Sequence, residues 1–165
     1  MRPSVIVLAG LVLAGCATAV PAPQAPVRAA SQESGRIDAL PPQSLPDGEC
    51  GLFFWTSASP HRFIVYENES RRAVKLVHDG EIIELGVVAQ TVDMIVGDSF
   101  ERLYPAPSHN LVFSVTGTIG ERTRSGTRIE RALLRVEQPS GAEIVQPVLG
   151  LRTCRTGSPV APSPR

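Results

Sequence analysis

The 165-residue chain is poor in the residue types that usually carry chemistry. It has three histidines and three cysteines, and no histidine stands at metal-ligand spacing from a cysteine. It contains neither a Gly-x-Ser-x-Gly nor a Ser-x-x-Lys motif for nucleophilic catalysis, and no glycine-rich phosphate loop. The sequence therefore indicates no catalytic residues, no metal site and no cofactor, and we expect a protein that is not an enzyme.

The chain also lacks an excess of charge of either sign, since 16 basic residues balance 16 acidic ones. Nucleic-acid-binding proteins usually carry a basic excess, so we expect no nucleic-acid partner. The charges are unevenly placed. Residues 33–101 hold 12 acidic and 5 basic residues, whereas residues 120–155 hold 7 arginines and 4 acidic residues.

The arginines after residue 120 are the candidate contacts for an anionic ligand. Arg122 and Arg124 stand in a predicted polar loop, and guanidinium groups bind phosphate and carboxylate in a bidentate manner. In the strand predicted next, alternation puts Arg131 and Arg135 on one face and Arg128 on the other. Arg122 and Arg124 are therefore the candidate anion contacts, and a solvated strand surface is the alternative.

No apolar run is long enough to cross a bilayer as a helix, which needs roughly 20 residues. The apolar run at residues 5–14 follows a single positive residue and ends in small residues, which predicts a signal peptide over residues 1–15. Its last residues, Leu13-Ala14-Gly15-Cys16, resemble the lipobox of bacterial lipoproteins. An ordinary cleavage site after Ala19 is the alternative.

The lipobox resemblance implies that Cys16 receives diacylglycerol and becomes the mature N-terminus. Each buried acyl CH₂ contributes about 0.8 kcal/mol, so two or three chains hold a protein at a membrane. In bacterial lipoproteins an Asp after the cysteine favours the inner membrane, and Ala17 stands here instead. The resemblance thus implies a membrane-anchored protein of the bacterial cell envelope, at the outer membrane and facing the periplasm.

Two cysteines remain, Cys50 and Cys154, near the two ends of the predicted strand region. An even pair in an oxidising compartment usually forms a disulfide. The bond would close a loop of about 100 residues, which the chain-entropy model values at about 4.7 kcal/mol. We predict this disulfide, which staples the ends of the domain together.

Composition divides the rest of the chain into three parts. Residues 16–48 combine the lipidated cysteine with a Pro- and Ala-rich linker, and residues 156–165 form a proline-containing tail predicted to be disordered. Residues 49–155 are predicted to be one all-β domain, a small antiparallel β-sandwich or barrel of about seven or eight strands. We predict strands at residues 50–56, 62–67, 72–78, 81–89, 111–118, 127–137, 142–148 and 150–154, with a short one at 94–96.

The middle of this domain gives the clearest signals. Asp79-Gly80 between two apolar runs predicts a tight hairpin turn. Residues 103–110 are predicted to be a proline-interrupted loop and residues 120–126 a polar loop. A helix over residues 128–137 is the alternative to the strand predicted there.

Several side chains have two interpretations. Phe53 and Trp55 share one face of the first strand and Phe54 lies on the other. Either both faces pack in the core, or one face packs in the core and the other binds a ligand. The three histidines (His61, His78 and His109) fall at predicted turns and strand ends, which favours exposure. Four glutamates of the strands and turns predicted between residues 62 and 89 (Glu67, Glu69, Glu81 and Glu84) are predicted to lie on the solvent-exposed face of the sheet. A catalytic carboxylate pair is the alternative.

The run from Gly48 to Trp55, together with residues 147–151 and Cys154, resembles uncharacterised small lipoproteins of alphaproteobacteria. That resemblance implies no activity. The chain also resembles membrane-bound inhibitors of C-type lysozyme, but departs from their serine and lysine loops because only Ser125 lies in the 120–126 loop and Lys75 lies in a strand. We expect a structural or interaction module that contacts an envelope protein or envelope polymer. The alternative is a small periplasmic binding or inhibitor module for a protein or an anionic envelope ligand.

Overall fold

Alternating apolar residues and tight turns produce a sheet of ten strands, joined without an α-helix in the described residues. The computed structural model describes residues 36–91 and 93–156. The predicted signal peptide, Cys16, the linker up to residue 35 and the tail from residue 157 lie outside these residues. The strands are β1 (Ile37–Asp38), β2 (Cys50–Thr56), β3 (Phe63–Asn68), β4 (Ala73–His78), β5 (Glu81–Gly86), β6 (Ala89–Gln90), β7 (Ser99–Ala106), β8 (Leu111–Thr123), β9 (Gly126–Glu137) and β10 (Glu143–Cys154), with a 3₁₀ turn at Pro107–His109.

Every strand pair is antiparallel, and the sheet curls. Its order is β4-β3-β2-β10-β9-β8-β7-β6, with β1 and β5 also paired to β4. After β5 the chain passes from β4 to β7. The Val87 amide donates to the carbonyl of Arg72, just before β4, and the next amide, of Val88, donates to the carbonyl of Leu103 in β7. The two ends of the sheet therefore meet. Eight strands have six or more residues, which confirms the predicted all-β class.

The inside of the curled sheet is filled by side chains. Phe54 in β2 packs beside Phe100 in β7, with ring centroids 6.1 Å apart, and Tyr104 and Phe113 are fully buried. Alternation along each strand sends these residues inward and their neighbours outward. Core side chains thus fill the interior of the curled sheet, the space in which a barrel with more strands would hold a ligand.

The disulfide forms as predicted. Cys50 and Cys154 are directly opposite each other on β2 and β10, and they are bonded. The bond ties the strand nearest the start of the domain to the last strand.

The folded domain begins earlier than the boundary at residue 49 predicted from composition. The structure shows strand β1 within the predicted linker, and Leu40 and Leu45 bury themselves against Tyr66 and Val77 on the outside of the sheet. Three spaced apolar residues, Ile37, Leu40 and Leu45, are enough to hold this proline-rich segment, because their burial offsets its ordering cost.

Three local predictions are wrong. The predicted loops at 103–110 and 120–126 belong largely to β7, β8 and β9, whose hairpin turns tightly at residues 124–125. Residues 94–96 form no strand. The strand predicted over residues 127–137 is confirmed as β9, which excludes the helical alternative for residues 128–137. Long cross-strand pairing explains the differences, since Pro105 and Gly120 are compatible with a strand when their neighbours are paired.

Candidate functional site

The end of the sheet nearest the disulfide contains a buried ion pair. Arg102 in β7 points inward and its Nε donates to Glu67 Oε1 in β3 at 3.2 Å. The hydroxyl of Tyr104 donates to the other oxygen, Glu67 Oε2, at 2.7 Å. Glu67 is 0% exposed and Arg102 is 1% exposed, so this carboxylate and guanidinium interact in a medium where water screens them little.

The remaining guanidinium nitrogens of Arg102 also have acceptors. Nη1 donates to the carbonyls of Thr91 and Glu101 at 3.0 and 3.1 Å, and Nη2 donates to Glu69 Oε1 at 2.9 Å. The guanidinium carbon lies 4.7 Å from the centroid of the Phe100 ring, within the range of a cation–π contact. Arg102 is thereby fixed from several sides, as a structural residue would be.

Burial and charge act in opposite directions on the titration of this group. Burial raises the pKa of Glu67 above its ordinary value, and Arg102 and the Tyr104 hydroxyl oppose that rise. Burial also raises the pKa of Tyr104 well above its ordinary value, helped by the negative charge of Glu67. The tyrosine is therefore a neutral donor across the physiological range.

The network reaches the surface through Glu69. Its second oxygen, Oε2, accepts from Arg152 Nε in β10 at 2.7 Å. Arg152, Glu69 and Arg102 line an open cleft of about 300 Å³ beside Cys50, together with Ser70, Gln90 and Thr91. This cleft combines two guanidinium groups with a carboxylate that both of them contact.

The structure places one of the two predicted anion contacts near this cleft. Arg122 in β8 is opposite Thr127 in β9, which is opposite Arg152 in β10. Residues opposite each other on adjacent strands share a face, so Arg122 and Arg152 lie on one face about 10 Å apart, two strand spacings. Arg124 lies in the turn, and neither Arg122 nor Arg124 makes an ion pair with any residue that the structure describes.

The histidines lie elsewhere, and two of them are less exposed than predicted. At the opposite end of the sheet, His78 packs edge-on against Phe113, and the His109 ring is 6.5 Å away. His109 Nε2 is 4.0 Å from Glu81 Oε2, and the buried Nε2 of His78 has no hydrogen-bond partner. These side chains line a second cleft of about 340 Å³. His61 is exposed, as predicted, and its Nδ1 lies 2.8 Å from the Thr56 carbonyl.

Within residues 36–91 and 93–156, no three histidine, cysteine or acidic side chains gather closely enough to hold a metal ion. The same residues include no helix long and apolar enough to cross a membrane.

The outer surface bears an apolar face centred on the only tryptophan. Trp55 in β2 lies opposite Phe63 in β3 and Leu149 in β10. Its ring is 5.6 Å from that of Phe63 and 6.2 Å from that of Phe53. Leu149 is 45% exposed. We call this surface the Trp55 face; its members are Phe53, Trp55, Phe63, Pro147, Leu149 and Leu151.

The prediction that Glu67 lies on the solvent-exposed face of its strand is wrong, because its carboxylate is buried against Arg102. Its position two residues after Val65 gave a signal, since both point the same way and Val65 is core. The alternation Phe100, Arg102, Tyr104 pointed inward in the same manner.

Comparison with known proteins adds no relative. No protein-family model, no curated protein and no solved structure matches the chain.

Proposed function

We propose that this chain is a lipid-anchored protein of the bacterial envelope whose β domain is an interaction module. The lipobox at residues 13–16 carries the anchoring half of the proposal. The Cys50–Cys154 disulfide agrees with export to an oxidising compartment.

The filled interior supports the proposal that the β domain is an interaction module. Core residues from facing strands, including Phe54, Phe100 and Phe113, are fully buried and fill the inside of the curled sheet. A contact with a partner then has to use the outer surface or the two end clefts. The two end clefts offer polar and charged side chains for such a contact: Glu69, Arg102 and Arg152 line one, and His78, Glu81 and His109 line the other.

A Cys16→Ser variant tests the anchor. The variant leaves no acyl acceptor in the lipobox, so we expect it to lose acyl labelling and to leave the membrane fraction or remain unprocessed. In vivo crosslinking followed by purification from envelope membranes then identifies the partner protein or polymer. Unchanged acyl labelling of the variant would contradict the proposal.

A binding module for an anionic envelope ligand is the second candidate. The observation that favours it is the row of Arg122 and Arg152 beside a cleft, with Arg122 and Arg124 making no ion pair within the described residues. Charge reversal at both Arg122 and Arg124 should then abolish salt-sensitive binding to lipopolysaccharide or peptidoglycan. Both sites are exposed, so the free energy of unfolding should change by no more than about 0.5 kcal/mol. Binding that is equal in the variant and the parent would reject this candidate.

A further inference from the structure

The Trp55 face is only partly covered by its own chain. The segment before β2 packs Leu40 and Leu45 against Phe53, Phe63 and their neighbours, and covers one edge of the face. On the other side, Leu149 is 45% exposed and Val145 on the same strand is 44% exposed. Exposed apolar side chains that lie next to one another on a sheet mark a contact surface.

The charges beside the face are positive. Arg128 in β9 is opposite Leu151, which is opposite Phe53, so Arg128 lies in the same outward row as the face. Arg128 is exposed and makes no ion pair with a described residue. Arg62, next to Phe63, is exposed and equally without an ion pair in the described part of the chain.

The acidic residues nearby do not offset these arginines. Glu130 leans over Gly120 of β8, on the side of β9 that faces away from β10. Asp38 pairs with Arg36, and Glu49 pairs with Arg71. Aromatic rings with cationic neighbours match the boundary of a bilayer that contains anionic lipid, where tryptophan is favoured and arginine is attracted.

The first described residues of the chain run beside this face. The Leu40 amide donates to the carbonyl of Phe63 at 2.7 Å, and Leu40 and Leu45 pack at the edge of the face. Nineteen residues lie between Cys16 and Arg36, and this stretch can span at most about 70 Å. A tether this short gives the domain a high effective concentration at the membrane surface, so even a weak contact becomes populated.

We propose that the Trp55 face rests on the membrane surface, with its aromatic rings at the lipid headgroup level and Arg128 beside anionic headgroups. This inference rests on the proposed lipid anchor and adds an orientation: the β2–β10 side faces the bilayer, and the opposite side, where β6 and β7 lie, faces away from it. The proposal commits to a bilayer because the lipid anchor would keep the domain beside lipid at all times, and the exposed Arg128 and Arg62 match the charge of anionic headgroups.

Because Trp55 is the only tryptophan, its fluorescence reports directly on this contact. The full lipidated chain is reconstituted into vesicles of phosphatidylcholine and phosphatidylglycerol whose acyl chains are brominated near the headgroup. We expect Trp55 emission to shift to shorter wavelength and to be quenched by bromine. Vesicles of phosphatidylcholine alone should show less quenching, and added salt should reduce it in the mixed vesicles.

The variants Leu149→Glu and Arg128→Glu should each reduce the quenching. Both sites are exposed, so the domain keeps its fold. Val88→Glu is the matched control: Val88 is 57% exposed and bonds to β7, on the opposite side of the curled sheet. This control should leave the quenching unchanged.

Flotation of the vesicles separates the two proposals. Protein that floats with Trp55 unquenched by bromine overturns the membrane contact and leaves the anchor intact. If Trp55 is then also shielded from aqueous acrylamide, a protein segment covers the face, which again overturns the inference. Protein that does not float overturns the anchor, and with it the contact that depends on the tether.

Discussion

The buried pair of Glu67 and Arg102 should respond strongly to loss of one charge. Arg102→Met keeps an unbranched apolar stem but removes the guanidinium and its bonds to Glu67, to Glu69 and to two carbonyls. Glu67, with no exposed surface, then retains only the Tyr104 hydroxyl. Breaking a buried pair in this way costs about 3–5 kcal/mol. For a domain of roughly 120 residues that is a fall in Tm of about 12–20 °C.

The loss should depend on pH with a defined sign. In the parent, Arg102 opposes the rise that burial imposes on the pKa of Glu67. Without Arg102 the folded pKa rises further above the ordinary value of 4.5. A raised folded pKa gives stability that is present below the unfolded pKa and is lost as pH rises through the folded pKa. The gap between variant and parent in the free energy of unfolding should therefore be small near pH 4.5, widen as the pH rises from 4.5 to the raised pKa, and stay constant above it.

Urea unfolding followed by Trp55 fluorescence measures this gap at each pH. Arg135→Met is the matched control, because Arg135 pairs with Glu143 at 2.8 Å while both side chains are more than a third exposed. The control should lose at most about 1 kcal/mol. Adding Glu67→Gln to the Arg102 variant should restore part of the loss, since it removes the stranded charge. A loss below about 1 kcal/mol, or one that is the same at every pH, would refute the reasoning.

Two further perturbations test the frame of the domain. Replacing Cys50 and Cys154 by alanine should lower the free energy of unfolding by about 3–5 kcal/mol, measured by urea unfolding; an unchanged midpoint would show that the bond adds no constraint. Gly126→Ala should cost about 2 kcal/mol or more, because φ is +141° and a Cβ would lie 2.1 Å from the Arg152 carbonyl oxygen. Gly80→Ala, at φ +83° with open space around it, should cost about 1 kcal/mol, and equal melting temperatures for the two glycine variants would contradict the steric argument.

The meander β2 to β5 was predictable because its signals are local. Alternating apolar residues and the Asp79-Gly80 turn determine which residues pair, and Cys50 and Cys154 marked the ends. Strand β2 has the predicted bounds, β3 is shifted by one residue at both ends, and β4 begins one residue later than predicted.

The β8–β9 hairpin was less predictable because its tip is polar. Arg122 and Thr127 are paired with each other although neither belongs to an apolar alternation that continues to the turn. Pairing with β10 on the other side of β9 stabilises these residues, and that support is not visible from local sequence. The anchoring of Leu40 and Leu45 is hidden for the same reason, since their partners come from β2, β3 and β4.

The charged network has a consequence for how the strands pair. Side chains alternate with a period of two, so a one-residue slip of β7 against β8 would turn Arg102 outward and Leu103 inward. Glu67 sits on β3, across the interior, and would stay buried without its cation. An uncompensated buried carboxylate costs more than the apolar contacts that a slipped strand recovers. The pair therefore penalises the wrong register in a part of the sheet where Pro105 and Gly117 give weak local signals, and the Cys50–Cys154 bond fixes the neighbouring β2–β10 pairing at the same end.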